Sequence, residues 1–183
     1  MGKHIKAISK QLFEDNFTNE SFKNYDYACF ISILDMDNDE QKYDKTINNF
    51  LQVKMWDVET DVKDADGVIY NKPSDTELKK IVDFVNKHKD KIGFIIHCSA
   101  GVSRSGAVAT FIYDKFLSEI DKDKFRYENK HIMPNIYILN RLKELDANSQ
   151  KHHFYEIEGD EELSEELNNY LIDTFKDYFK NLK

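Results

Sequence analysis

The chain has 183 residues, 40% of them hydrophobic and 33% charged, the balance of a soluble globular protein long enough to bury one substantial core. Its 34 acidic and 26 basic residues leave a net charge of −8, which argues against nucleic acid or an anionic membrane as a main partner, since both need a basic face. No apolar stretch approaches the roughly 18 residues of a membrane span, and residues 1–10 lack the apolar centre of a secretory signal, so a cytoplasmic location is expected. A reducing compartment makes both cysteines, Cys29 and Cys98, free thiols.

In chain order, Tyr25 to Asp37 is rich in aromatic and β-branched residues and ends in an acidic, turn-like stretch, which predicts a buried strand. Phe50 to Asp57 alternates apolar and polar residues and predicts a second. Pro73 and the S-x-x-E pattern of Ser74 to Glu77 open a helix over residues 74–89, with Leu78, Ile81, Val82 and Val85 on one face. GFIIHC, ending at Cys98, reads as a central strand. Helices follow with Val108, Ile112 and Phe116 in step, and again over Ile136 to Leu145 behind Pro134. Residues 161–183 carry Leu163, Leu167, Leu171, Phe175 and Phe179 at repeats of four, which predicts an amphipathic C-terminal helix. The chain shows no repeat and no linker, so one domain is expected over residues 1–183, with its core at about 25–145 and the C-terminal helix at about 160–183.

The stretch HCSAGVSRSG, residues 97–106, sits between the GFIIHC strand and a helix. A tight loop that runs into a helix N-terminus points its backbone N–H groups inward and forms an anion cup. The backbone of Ser99, Ala100, Gly101, Val102 and Ser103 would line it, Gly101 and Gly106 supplying conformational freedom and the small residues leaving room. Arg104 adds a planar fork of donors that fits two phosphate oxygens at once. A thiol at a helix N-terminus beside an arginine loses its proton readily, which makes Cys98 a candidate nucleophile. Cys29, in an apolar strand, reads as a small core residue.

These residues resemble the H-C-x5-R-[ST] signature of the cysteine-dependent protein tyrosine and dual-specificity phosphatases. Met133 to Leu142, MPNIYILNRL, is similar to a helix start of the dual-specificity enzymes, and the element order follows that family from about Tyr25 to Leu145. The resemblance implies hydrolysis of phosphate monoesters through a phosphocysteine intermediate, without metal or other cofactor. It implies that Cys98 attacks, that Arg104 clamps the phosphoryl group, that Ser105 helps the thiolate depart, and that His97 orders the loop. It also implies an upstream aspartate as general acid. Asp57, next to the single tryptophan Trp56, is the first candidate, but it lies 41 residues before Cys98. An insertion within Val58 to Lys72 has to be assumed, failing which Asp64 or Asp66 takes the role. Asn135 reads as a helix N-cap able to brace the loop, and Arg141 as a surface ion-pair partner.

The fold implied by pattern and resemblance together is a single α/β domain with a central twisted, mostly parallel sheet of four or five strands flanked by helices. Three functions are compatible with the residues. The first is a phosphatase for phosphotyrosine, extending to phosphoserine and phosphothreonine, with a phosphorylated protein as partner. The second is a phosphatase for a phosphoinositide, nucleotide or RNA end, disfavoured because the loop has no lysine for further phosphates. The third is a silent phosphate-binding module, disfavoured because neither nucleophile nor arginine is missing. Physiological substrate and oligomeric state are not written in the sequence.

Overall fold

Four short stretches with buried apolar residues supply the sheet. The computed structural model describes residues 3–17, 19–38, 47–116 and 122–157. Within them the strands are β1 (His4–Ser9), β2 (Ala28–Leu34), β3 (Phe50–Lys54), β4 (Val62–Lys63), β5 (Ile69–Tyr70) and β6 (Gly93–Cys98). The helices are α1 (Lys10–Asn16), α2 (Asn19–Asn24), α3 (Asp75–Lys87), α4 (Arg104–Phe116), α5 (Lys122–Glu128) and α6 (Ile136–Ile157). Strands β1, β6, β2 and β3 lie side by side in that order, all parallel, and β4 and β5 form a separate antiparallel pair. The expected α/β class with a parallel central sheet is the class observed.

Both faces of the sheet are covered. Every residue of β2 is buried, the near-continuous apolar strand that a doubly covered parallel sheet requires. Period-two alternation sends Cys29, Ile31 and Ile33 to one face, where they pack with Leu78, Ile81 and Val85 of α3 and Val108 and Ile112 of α4. Ala28 and Phe30 point the other way, into a smaller cluster with Phe13 of α1 and Phe22 of α2. Ser74 caps α3, its hydroxyl accepting the Glu77 N–H at 3.3 Å, while the Glu77 carboxylate turns to Lys80 at 2.6 Å.

The structure departs from the sequence reading at several ends. The core does not begin near residue 25, because His4–Ser9 pairs along the whole of β6 as an edge strand. That segment alternates exposed His4 and Lys6-side positions with buried Ile5 and Ala7, so it offers only half an apolar run. Strands β2 and β3 stop at Leu34 and Lys54, short of the acidic residues that follow them, and α6 continues past Leu145 to Ile157. Two compact units are distinguished, Met1–Asp146 with the whole sheet and Ala147–Lys183, of which residues 147–157 are described as the end of α6. The expected helix over residues 161–183 lies outside the described residues. No helix among them is long and apolar enough to cross a membrane.

Two side chains cover part of the outer edge of β1, His131 with Nε2 3.1 Å from the Ala7 carbonyl and Asn129. Asn129, buried after α5, accepts the Ala7 N–H at 2.8 Å and donates to the Ile5 carbonyl at 2.8 Å and to the Phe125 carbonyl at 3.0 Å. It stands in for a neighbouring strand at Ile5 and Ala7. Asn129→Ala strands a buried donor and a buried acceptor at once, so its urea midpoint should report a loss of about 2–3 kcal/mol. Asn129→Asp keeps the acceptor for Ala7 but sets a buried carboxylate oxygen against the Ile5 and Phe125 carbonyls, so it should lose at least as much.

Candidate active site

Parallel strands end together, and here their carboxyl ends bring the candidate residues to one edge of the sheet. Register places Ser9 beside Cys98 and Leu34 beside Lys54, so the segments starting at Lys10, Asp35, Met55 and Ser99 emerge side by side. The loop from Ser99 to Ser103 is tied from outside through its carbonyls. Lys10 N–H donates to Ser99 O at 3.3 Å, Met133 N–H to Val102 O at 3.1 Å, and Asn135 N–H to Ser103 O at 3.3 Å. With the carbonyls held outward, the N–H groups of Ala100, Gly101, Val102 and Ser103 meet no acceptor among the described residues, the condition for an anion cup ahead of α4.

Gly101 has φ +78°, and a Cβ there would stand 2.4 Å from the Ile8 carbonyl carbon and 2.5 Å from the Ser9 nitrogen. Main chain lies directly against main chain, a contact only glycine permits. At Gly106 the nearest neighbour of an added Cβ is the Ile132 side chain at 3.0 Å, a much milder demand.

Cys98 closes β6, 2% exposed, with its Sγ 3.1 Å from the Ser105 hydroxyl in the first turn of α4. Arg104 is 3% exposed, and a buried charge needs partners. Its Nη1 donates to the Met55 carbonyl at 2.8 Å and meets Asp35 Oδ1 at 2.7 Å, and its Nη2 donates to Ser99 Oγ at 3.1 Å. Its Nε has no hydrogen-bond partner among the described residues, Asp57 Oδ2 standing off at 3.8 Å. Asp57 Oδ1 accepts from Ser103 Oγ at 2.8 Å and from Asn135 Nδ2 at 2.9 Å. Asn135 also caps α6, its Oδ1 accepting the Ile138 N–H at 3.0 Å.

The structure separates the aspartates that the sequence left as alternatives. Residues 62–70 form the β4 and β5 hairpin, within the segment where an insertion is assumed. Asp64 serves that hairpin, accepting from the Asp66 and Val68 N–H groups and the Tyr70 hydroxyl, while Asp61 accepts the Lys72 N–H. Asp66 is exposed in the turn. Of these four only Asp57 touches the loop. Tyr70 packs edge-on against Trp56, ring centres 5.0 Å apart, which seats the hairpin on the residue preceding Asp57.

Sequence reasoning missed Asp35, which accepts the Ser99 hydroxyl at 2.6 Å in addition to pairing with Arg104. The signal was its place at the end of a parallel strand. Arg141 is a surface partner as expected, of Asp75 and Glu144. Among the described residues, no group of three His, Cys, Asp or Glu side chains could hold a metal ion.

His97 does not reach the loop by hydrogen bonding. Alternation turns it to the face opposite Cys98, where its ring lies 4.2 Å from that of Phe13 and neither nitrogen makes a hydrogen bond of ordinary geometry, although the Cys98 backbone is close enough to favour its charged form slightly. Burial dominates and lowers its pKa from 6.5 to about 4. Cys29 is likewise governed by burial, its thiol pushed up to about 12.

Two predictions follow from these environments. Between pH 6.5 and about 4 the unfolded chain protonates His97 while the folded chain does not, so folding stability is lost as the pH is lowered through that window, by up to about 3 kcal/mol from this residue. In urea titrations His97→Phe should show a shallower loss over the same window. Gly101→Ala should displace the loop and lower kcat/KM toward an aryl phosphate about 100-fold or more, whereas Gly106→Ala should cost far less.

Residues 9–137, more than half the chain, match the family model described as protein-tyrosine phosphatase. No curated protein matches in sequence. Among solved structures the chain is similar to DUSP15, with 19% identity, TM-score 0.45, and coverage of 76% of this chain and 83% of that one. It is similar to human DUSP28, with 13% identity, TM-score 0.42, and coverage of 83% and 93%. It is also similar to PTPMT1 in complex with PI(5)P, with 18% identity, TM-score 0.42, and coverage of 83% and 91%. On the extent of the family match, the chain belongs to the protein-tyrosine phosphatase family.

Proposed function

We propose that this chain hydrolyses phosphate monoesters on proteins, phosphotyrosine first and phosphoserine and phosphothreonine as further substrates, with Cys98 as nucleophile. The observation that carries the proposal is the convergence of Cys98, Arg104 and Asp57 on one loop, with Asp57 held 2.8 Å from the Ser103 hydroxyl. In the first step the Cys98 thiolate attacks phosphorus, the S–P bond forms and the P–O bond of the ester breaks. Arg104 and the loop N–H groups hold the equatorial oxygens as charge shifts onto them. Asp57 gives its proton to the leaving oxygen; its Oδ2, which takes no hydrogen bond among the described residues, is the oxygen able to carry that proton. In the second step Asp57 takes a proton from water, the water oxygen attacks phosphorus, and the S–P bond breaks. Ser105, 3.1 Å from the sulfur, donates to the departing thiolate.

A protein substrate is favoured over a polyanionic headgroup by the charge around the loop. Asp35 and Asp57 flank it, and Glu59 lies beside it on the Ile136 N–H at 3.0 Å. Further phosphates would meet carboxylates there.

Cys98→Ser should abolish phosphate release from phosphotyrosyl and phosphothreonyl peptides, assayed with chelator and reductant. Asp57→Asn should lower kcat/KM, which reports the first step, by roughly 10²–10⁴-fold on those peptides and far less on p-nitrophenyl phosphate, whose leaving group needs no proton; kcat should fall on both, because the second step also uses Asp57. Equal losses of kcat/KM on both substrates would remove Asp57 from the acid role. No release from either peptide by folded, reduced wild type, with release from a phosphoinositide, would overturn the protein-phosphatase assignment.

A further inference from the structure

Arg104 presents two donor edges, and the protein occupies them unequally. The guanidinium plane has Nε–H and one Nη2–H side by side on one edge, the geometry that grips two phosphate oxygens. On the opposite side Nη1 donates to the Met55 carbonyl at 2.8 Å and forms an ion pair with Asp35 Oδ1 at 2.7 Å. The Nε, by contrast, is buried and has no hydrogen-bond partner among the described residues.

Asp35 is itself held from several directions. Its Oδ2 accepts the Ser99 hydroxyl at 2.6 Å and Asn38 Nδ2 at 3.2 Å, and its carbonyl accepts the Asn38 N–H at 3.2 Å, closing a turn directly after β2. Ser99 Oγ then receives Nη2 of Arg104 at 3.1 Å. A closed ring results: Asp35 to Arg104, Arg104 to Ser99, Ser99 back to Asp35. Each member restricts the rotation of the next, and the ring stands on the Nη1 side of the guanidinium.

We infer that Asp35 is a positioning residue: by its ion pair with Nη1 and its hold on Ser99 it turns the Nε and Nη2 edge of Arg104 toward the substrate phosphoryl group. This rests on the phosphatase assignment for the loop and adds to it a residue that never touches substrate. The alternative role for a carboxylate beside an anion cup is competition, in which Asp35 holds Arg104 away from phosphate and its removal tightens binding. The two roles differ in sign.

The test measures inhibition by inorganic phosphate, kcat and KM for p-nitrophenyl phosphate, and phosphate binding by calorimetry, in wild type, Asp35→Ala, Asp35→Asn, Arg104→Lys and the Asp35→Ala/Arg104→Lys double variant. Asp35→Ala should weaken phosphate binding about tenfold and raise KM in parallel. Asp35→Asn, which keeps one oxygen beside Nη1 or Ser99 but loses the charge, should fall between wild type and Asp35→Ala. In the Arg104→Lys background, where no fork exists to be oriented, Asp35→Ala should add little. Tighter phosphate binding in Asp35→Ala, an Asp35→Asn as impaired as Asp35→Ala, or a full additional loss in the double variant would each overturn the inference. If Asp35→Ala does not fold, Asp35→Ser, too short to reach Nη1, takes its place with the same expected losses. Absence of turnover in wild type would count against the phosphatase assignment alone, since the calorimetric comparison still reads the Asp35 effect on phosphate.

Discussion

The guanidinium of Arg104 is a full positive charge sealed below the surface, and the local architecture is organised around satisfying it. Removing such a charge from water is costly unless hydrogen bonds and opposite charge replace the lost solvent. Three separate chain segments supply that replacement: the residue after β2, the carbonyl that follows β3, and the first residue of the loop after β6. Those groups can meet only if three parallel strands end at the same level, which the pairing of Leu34 with Lys54 and of Ser32 with His97 ensures. Sheet register and site geometry are therefore one constraint.

Much of this was legible, and the limits have physical causes. The loop from His97 to Gly106 is local in sequence, so its residue types at their spacing were enough to suggest both anion binding and a nucleophile. The long helices were legible because their apolar faces keep helical period, as at Leu78, Ile81, Val82 and Val85. Strand β1 was not, because an edge strand needs only half its residues apolar and HIKAIS supplies no more. Asp35 was not, because its importance comes from a contact 69 residues away in sequence with Arg104. Choosing among Asp57, Asp64 and Asp66 likewise required the hairpin, which gives Asp64 a structural task of its own.

Environment, more than residue type, divides the two cysteines. Cys29 lies mid-strand in β2 with apolar neighbours, where the absence of nearby water penalises a thiolate. Cys98 lies at the last position of β6, where the chain turns into the N-terminus of α4 and a hydroxyl approaches its sulfur. One strand position and its neighbour also divide the histidine from the thiol: alternation gives His97 to an aromatic cluster and Cys98 to the loop.

The contact beneath Gly101 joins two stretches of backbone, and that shapes which substitutions the protein can accumulate. Ile8 and Ser9 meet the glycine with main-chain atoms, while their side chains answer to other demands: Ile8 to the cluster around Phe13, Ser9 to capping α1 through the Leu12 N–H at 3.2 Å. Positions 8 and 9 can thus change with the needs of helix and core without disturbing the loop, whereas position 101 cannot be rescued by any compensating change opposite it. The tightest packing at the site would leave no trace of paired substitutions, only an isolated invariance.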